Sequence, residues 1–201
     1  MVIAFEGLPG VGKTTTAGLV AQRLGARVVR ETTGDHPFLQ QVYDETERDD
    51  LTVELTFLLV HANPYRRLDR TVVTVCDFSP AKDILFAEDM LGADDLKLFE
   101  EIYRRMYRGH PLPDVSVYLR GDAQMCLERV RHRMRVDPNR AFEAGMTLDR
   151  LRKMEVRYEG ARVRLGQEQL TCDVSVDMAP QAVVEAVCEL LKEHVPALAR
   201  V

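Results

Sequence analysis

Residues 2–15 read VIAFEGLPGVGKTT. VIAF is a short, continuously apolar run closed by the acid Glu6, the pattern of a strand buried on both faces. From Gly7 to Thr14 the chain fits G-x-x-x-x-G-K-[ST], and residues 13–24 then follow a helical pattern. An apolar strand, a glycine-rich turn and a helix in this order form a phosphate loop. Gly7 and Gly12 allow backbone conformations closed to other residues. The loop of Gly7, Leu8, Pro9, Gly10, Val11, Gly12, Lys13, Thr14 and Thr15 is therefore expected to cradle a triphosphate at a helix N-terminus, which already favours anions. Lys13 places a point charge on the β and γ phosphates, and the Thr14 hydroxyl is a candidate Mg²⁺ ligand.

Further apolar runs at 26–30, 71–76, 114–119 and 171–176 read as strands. Helical patterns cover 37–49, 51–68, 80–91, 95–108, 123–135, 147–167 and 180–193. Such alternation predicts an α/β fold, one doubly wound domain spanning the 201 residues around a five-stranded parallel sheet. Ligands bind such sheets beyond the carboxyl ends of the strands, so the residue after each strand is the one to inspect.

Glu31 follows the second strand, where its carboxylate is either a general base for an acceptor alcohol or a strand-end acid paired with a surface cation. Asp77 follows VVTVC, either as an acid helping to hold Mg²⁺ or as a cap for the helix at Pro80. Arg129, Arg131, Arg133, Arg135 and Arg140 crowd one stretch, with Arg129 and Arg133 on one helix face and Arg131 and Arg135 on another. They form a solvated basic face or a lid, at about 129–145, that brings guanidinium groups to a transferring phosphoryl group. Magnitude makes the second reading worth testing: an arginine acting on the transition state is worth about 10³–10⁵ in rate, a surface ion pair about 0–1 kcal/mol.

These segments, taken in order, resemble the deoxynucleoside kinases, in their bacterial deoxyadenosine/deoxyguanosine kinase-like branch. The likeness is carried by IAFEGLPGVGKTT, VVRETTGDHPFLQQVY, ELTFLLVHANPYRRL, CDFSPAKDILFAEDML, LPDVSVYLRG, ERVRHRMR and FEAGMTLDRLRKMEVRYE. It implies a P-loop kinase three-layer sandwich with an arginine-rich helical lid, and transfer of the γ-phosphoryl group of ATP to the 5′-hydroxyl of a deoxynucleoside. By the same likeness Glu31 is the catalytic base, Asp77 an acid close to Mg²⁺ and substrate, Arg129, Arg133 and Arg135 lid arginines, and Glu143 the acid on the sugar 3′-hydroxyl. The helix over 51–68 would line the nucleoside pocket, with His61, Asn63, Tyr65 and Arg66 as polar candidates. Phe38 and Phe57 either stack a base or fill the core. A homodimer is implied as well. Phe78 departs from the family, in which an arginine commonly follows the acid, and Arg66 is the replacement the sequence suggests. Thr32 follows Glu31 where a proline is usual, and the chain has no Trp.

The nearest rival is a thymidylate kinase, whose first strand also runs into FEG, but its Pro-Gly-Gly element is missing after Glu31. A GTPase-like switch would need Asn-Lys-x-Asp, which the chain lacks. Lys plus Arg number 27 against 32 Asp plus Glu, a net charge of −5 that argues against a broad nucleic-acid or anionic-membrane surface. Cys76, Cys126, Cys172 and Cys188 form no CxxC pair and read as reduced, buried thiols of a cytoplasmic protein. No apolar run approaches the roughly 20 residues that span a bilayer.

Overall fold

The computed structural model describes residues 1–31, 36–38, 49–110, 112–164 and 169–198. Strands β1 (Val2–Gly7), β2 (Arg27–Val29), β3 (Thr74–Cys76), β4 (Val115–Gly121) and β5 (Gln169–Val174) make one sheet in the order β2-β3-β1-β4-β5, every pair parallel. Parallel neighbours need crossovers, and helices provide them. Helix α1 (Lys13–Arg23) joins β1 to β2, and α2 (Asp50–Arg66) precedes β3. Helices α3 (Pro80–Met90) and α4 (Ala93–Met106) lead to β4. Helix α5 (Ala123–Val136), a 3-10 helix (Pro138–Gly145) and α6 (Leu148–Arg164) lead to β5, and α7 (Pro180–His194) follows it. The α/β sandwich read from the sequence is the fold observed. The helix expected over 37–49 lies almost wholly outside the described residues.

The alternation of β1 separates two cores. Ile3 and Phe5 enter the larger one with Val20 of α1 and Val187 of α7. Val2 enters a second one with Leu58 of α2, Phe78, Ala87 of α3 and Phe99 of α4. All four cysteines are buried free thiols. The outer strands depart from the expected burial on both faces, because β2 is an edge strand with Val28 38% exposed. The third strand starts at Thr74 rather than at residue 71: the Asp69 carboxylate accepts hydrogen bonds from the Thr71 N–H and hydroxyl and holds that segment in a turn. Among the described residues no helix is long and apolar enough to cross a membrane.

Candidate active site

The carboxyl ends of β1 and β2 and the first turns of α3 open onto a cavity of about 1790 Å³, walled on its far side by the 3-10 helix and α6. Its floor is the glycine loop. Gly7, Gly10 and Gly12 have φ of 140°, 90° and 109°, a region L side chains rarely adopt. A Cβ on Gly10 would also lie 2.3 Å from the Cys126 carbonyl oxygen, so the loop rests directly on α5. Leu8 and Val11 point into the larger core and anchor the loop from below. Pro9, Gly10, Gly12, Lys13, Thr14 and Thr15 line the cavity. Lys13 Nζ donates to the carbonyls of Gly7 at 2.7 Å and Leu8 at 3.1 Å. Burial and the charge of Lys82 lower the Lys13 ammonium to about 8.

Across the cavity stands Glu31. Its Oε1 accepts from Lys82 Nζ at 2.7 Å and lies 2.9 Å from His61 Nε2, while His61 Nδ1 lies 2.6 Å from Asp83 Oδ1. Burial by itself would raise the Glu31 carboxyl, but the charge of Lys82 and the hydrogen bond and charge of His61 hold it well below the usual carboxylate range. Burial would lower His61, yet Asp83 and Glu31 overcome it and raise the imidazole to about 9. Lys82 is likewise raised, because Glu31 outweighs its desolvation. At neutral pH the Glu31 carboxylate therefore lies between the Lys82 ammonium and the His61 imidazolium, whose far nitrogen faces Asp83. Phe57 and Phe86 lie on the adjoining wall.

The third wall carries Arg133 and Glu143. Arg133 grips the buried Glu143 with both forks of its guanidinium, Nε on Oε2 at 2.7 Å and Nη2 on Oε1, and Arg140 Nη1 reaches Oε1 at 3.4 Å. The expected sugar-binding acid and lid arginine thus meet in one ion pair at the cavity wall.

Other expected site residues lie elsewhere. Arg129 Nη1 donates to the Val11 carbonyl at 3.3 Å, supporting the loop from α5 without lining the cavity. Arg135 is exposed on the last turn of α5 and does not line it either. Tyr65 sits in the second core against Tyr107, and Arg66 is exposed beside it, because α2 turns those positions away from the cavity. Arg66, the suggested replacement for an arginine at position 78, lies outside the cavity lining. Asp77 neither caps α3, whose cap is Ser79, nor lines the cavity. Its Oδ1 accepts the Glu31 backbone N–H at 2.5 Å and fixes the end of β2.

Sequence reasoning missed Lys82 and the joining of His61 to Asp83. One signal was available. Lys82 occupies the first turn of α3, where the helix dipole disfavours a cation, so a carboxylate must offset it. Glu6 was also passed over. It is buried near the end of β1, beside the Ser79 hydroxyl. Burial raises its carboxyl to about 7 against the pull of Lys82 and Lys13.

The deoxynucleoside kinase family model matches residues 3–195. Deoxyguanosine kinase of Bacillus subtilis is 28% identical over 167 residues, covering 79% of this chain and 77% of the relative. A probable thymidylate kinase of Archaeoglobus fulgidus is 31% identical over 164 residues, covering 77% of this chain and 78% of the relative. In three dimensions the chain is similar to deoxyadenosine kinase of M. mycoides solved with the products dCMP and a flexible dCDP. The TM-score is 0.77 at 18% identity, over 96% of this chain and all of that one, a likeness of fold.

Proposed function

This chain belongs to the deoxynucleoside kinase family, and from that premise we propose how its residues divide the transfer of the ATP γ-phosphoryl group to a deoxynucleoside 5′-hydroxyl. The observation that carries the reading is Glu31 facing Lys13 and the glycine loop across one cavity. The loop amides and Lys13 hold the triphosphate. Glu31 receives the hydroxyl proton as the 5′-oxygen bonds to the γ-phosphorus and the bond to the departing ADP oxygen breaks. Arg133, on a lid of residues 129–145, meets the charge that gathers on the transferred group, and Arg129 holds the loop from behind. Glu143 binds the sugar 3′-hydroxyl, and Phe57 and Phe86 flank the base. Such transfers depend mostly on positioning and charge stabilisation.

Mg²⁺ fits the donor set, since the exposed Thr14 hydroxyl is a hard oxygen ligand on the cavity wall beside the loop that receives the phosphates. When bound it supplies neutralisation of phosphate charge. Asp77, engaged beneath Glu31, is not among the residues assigned to it. A cytoplasmic homodimer belongs to the same proposal and rests on the family alone.

The test is a panel of the four deoxynucleosides plus dTMP, each with ATP and Mg²⁺, assayed for phosphorylated product. Turnover of a deoxynucleoside is the expected result. Turnover of dTMP alone would favour the thymidylate kinase reading that the Archaeoglobus relative raises. Glu31→Gln lowers turnover by about 10²–10⁴ with ATP affinity little changed; wild-type turnover in that variant removes Glu31 from the role of base.

A further inference from the structure

Glu31 is held unevenly. Lys82 and His61 both approach Oε1, at 2.7 and 2.9 Å, and no hydrogen bond among the described residues engages Oε2. The holders are themselves held. His61 is fixed at Nδ1 by Asp83, and its ring stacks on Phe78 with centroids 5.1 Å apart and an interplanar angle of 25°. Asp83 takes a further hydrogen bond from the Tyr107 hydroxyl at 3.3 Å. Packing alone does not call for this arrangement. Two cations and two carboxylates are withdrawn from water here, and apolar residues would fill the space with no desolvation penalty. The position next to Asp77, the buried Phe78, is already apolar.

We infer that Lys82 and His61 are positioning residues for phosphoryl transfer, holding Glu31 by Oε1 so that Oε2 is left to accept the proton of the acceptor hydroxyl. This rests on the reading of Glu31 as base. Lys82 thereby takes the place of a cation that neither Phe78 nor Arg66 supplies. Grip on one oxygen fixes the carboxylate without occupying the atom that reacts. A carboxylate displaced by about 1 Å loses on the order of 10²-fold in rate even with every reacting group present.

The experiment compares wild type with K82M, K82R, E31Q and the double variant E31Q/K82M, using each of the four deoxynucleosides with ATP and Mg²⁺. K82M is expected to lose about 10²-fold in kcat with the KM for ATP little changed. K82R, which keeps the charge, should recover most of that loss. If Lys82 acts through Glu31, the double variant is no slower than E31Q. Full turnover in K82M, or losses that multiply in the double variant, overturns the inference; multiplied losses would mean that Lys82 acts on the phosphates directly. Wild-type turnover in E31Q would instead sink the underlying reading of Glu31. Crystal structures of wild type and K82M give a readout independent of turnover: the Glu31 carboxylate leaves its place in the variant, and an unmoved carboxylate overturns the inference. K82Q, closer in shape and polarity, replaces K82M in each comparison if K82M does not fold.

Discussion

The two sides of the cavity are built in different ways. The donor side is mostly backbone. One continuous stretch, Gly7 to Thr15, makes its turn through glycines at positive φ and presents a helix N-terminus. The acceptor side is mostly side chain. Glu31 after β2, His61 on α2 and Lys82 with Asp83 on α3 come from segments up to 52 positions apart (83 − 31) and meet through charge. A backbone site tolerates change in side chains but not in conformation, whereas a charge network tolerates some change in shape but not the loss of one member.

Arg133 connects the sides, because it stands on the cavity wall with the glycine loop while holding Glu143. Arg133→Ala should lower turnover by about 10²–10³-fold, the loss typical of removing one donor to developing charge. The melting temperature should fall far less, since Arg140 still reaches Glu143. A large drop in melting temperature with near-normal turnover would make Arg133 a structural residue and leave the two sides without this connection.

The donor side breaks most readily at Gly10. Gly10→Ala puts a side chain at φ 90° and a Cβ 2.3 Å from a backbone oxygen of α5, so either the loop or the helix must move. Strain and overpacking together should cost about 4 kcal/mol. Gly25→Ala is the control, with φ 59° and nothing within 4 Å of the added Cβ. It should cost only about 1–2 kcal/mol. Denaturant unfolding of both variants checks the difference; equal losses would mean that close approach to α5 is unimportant and that positive φ alone sets the cost.

This contrast also explains what could be read in advance. The donor side was legible because the residue types and spacing required by a phosphate loop are contiguous. All five strands were legible for a related reason, since short apolar runs bounded by turn residues are a local signal, although on the edge strand β2 that signal overstates burial. Errors arose where the answer depended on another segment. Thr71 was assigned to the third strand, but the Asp69 side chain competes for its backbone. His61, Tyr65 and Arg66 are alike candidates when the family resemblance makes their helix line the pocket, and only tertiary packing decides that His61 meets the cavity while Tyr65 and Arg66 do not. Asp77 resembles a metal ligand in position and residue type, and what its position could not show is that the Glu31 N–H, 46 residues away, takes its Oδ1. Beyond its place in the first turn of α3, nothing in the local sequence sets Lys82 apart from an ordinarily solvated helical lysine, because its partner Glu31 lies 51 residues away.

The acceptor side should reveal itself through pH. His61 is raised from its ordinary 6.5 to about 9, with burial opposing and Asp83 and Glu31 prevailing. A group raised on folding stabilises fully below its unfolded pKa and loses that contribution as pH climbs through the folded value. The interval from 6.5 to about 9 corresponds to about 3 kcal/mol of stability, present at pH 6 and gone by pH 10. Other groups titrate in the same window: Glu6 at about 7 and Lys13 at about 8, the latter displaced in the opposite direction by burial. The total slope of stability against pH therefore mixes both sides of the cavity, and the difference between wild type and His61→Asn isolates one. Unfolding free energies at pH 6, 7.5 and 9 should converge between the two proteins as pH rises. A constant gap would mean that folding leaves the His61 pKa where it is in the unfolded chain, and a gap that widens between pH 6 and 7.5 would mean that His61 is neutral in the folded protein. Either outcome would leave Lys82 as the firm charge on Glu31, with His61 at most a neutral donor to Oε1, and the slope seen in His61→Asn itself belongs to the other groups, Glu6 and Lys13 beside the phosphate loop among them.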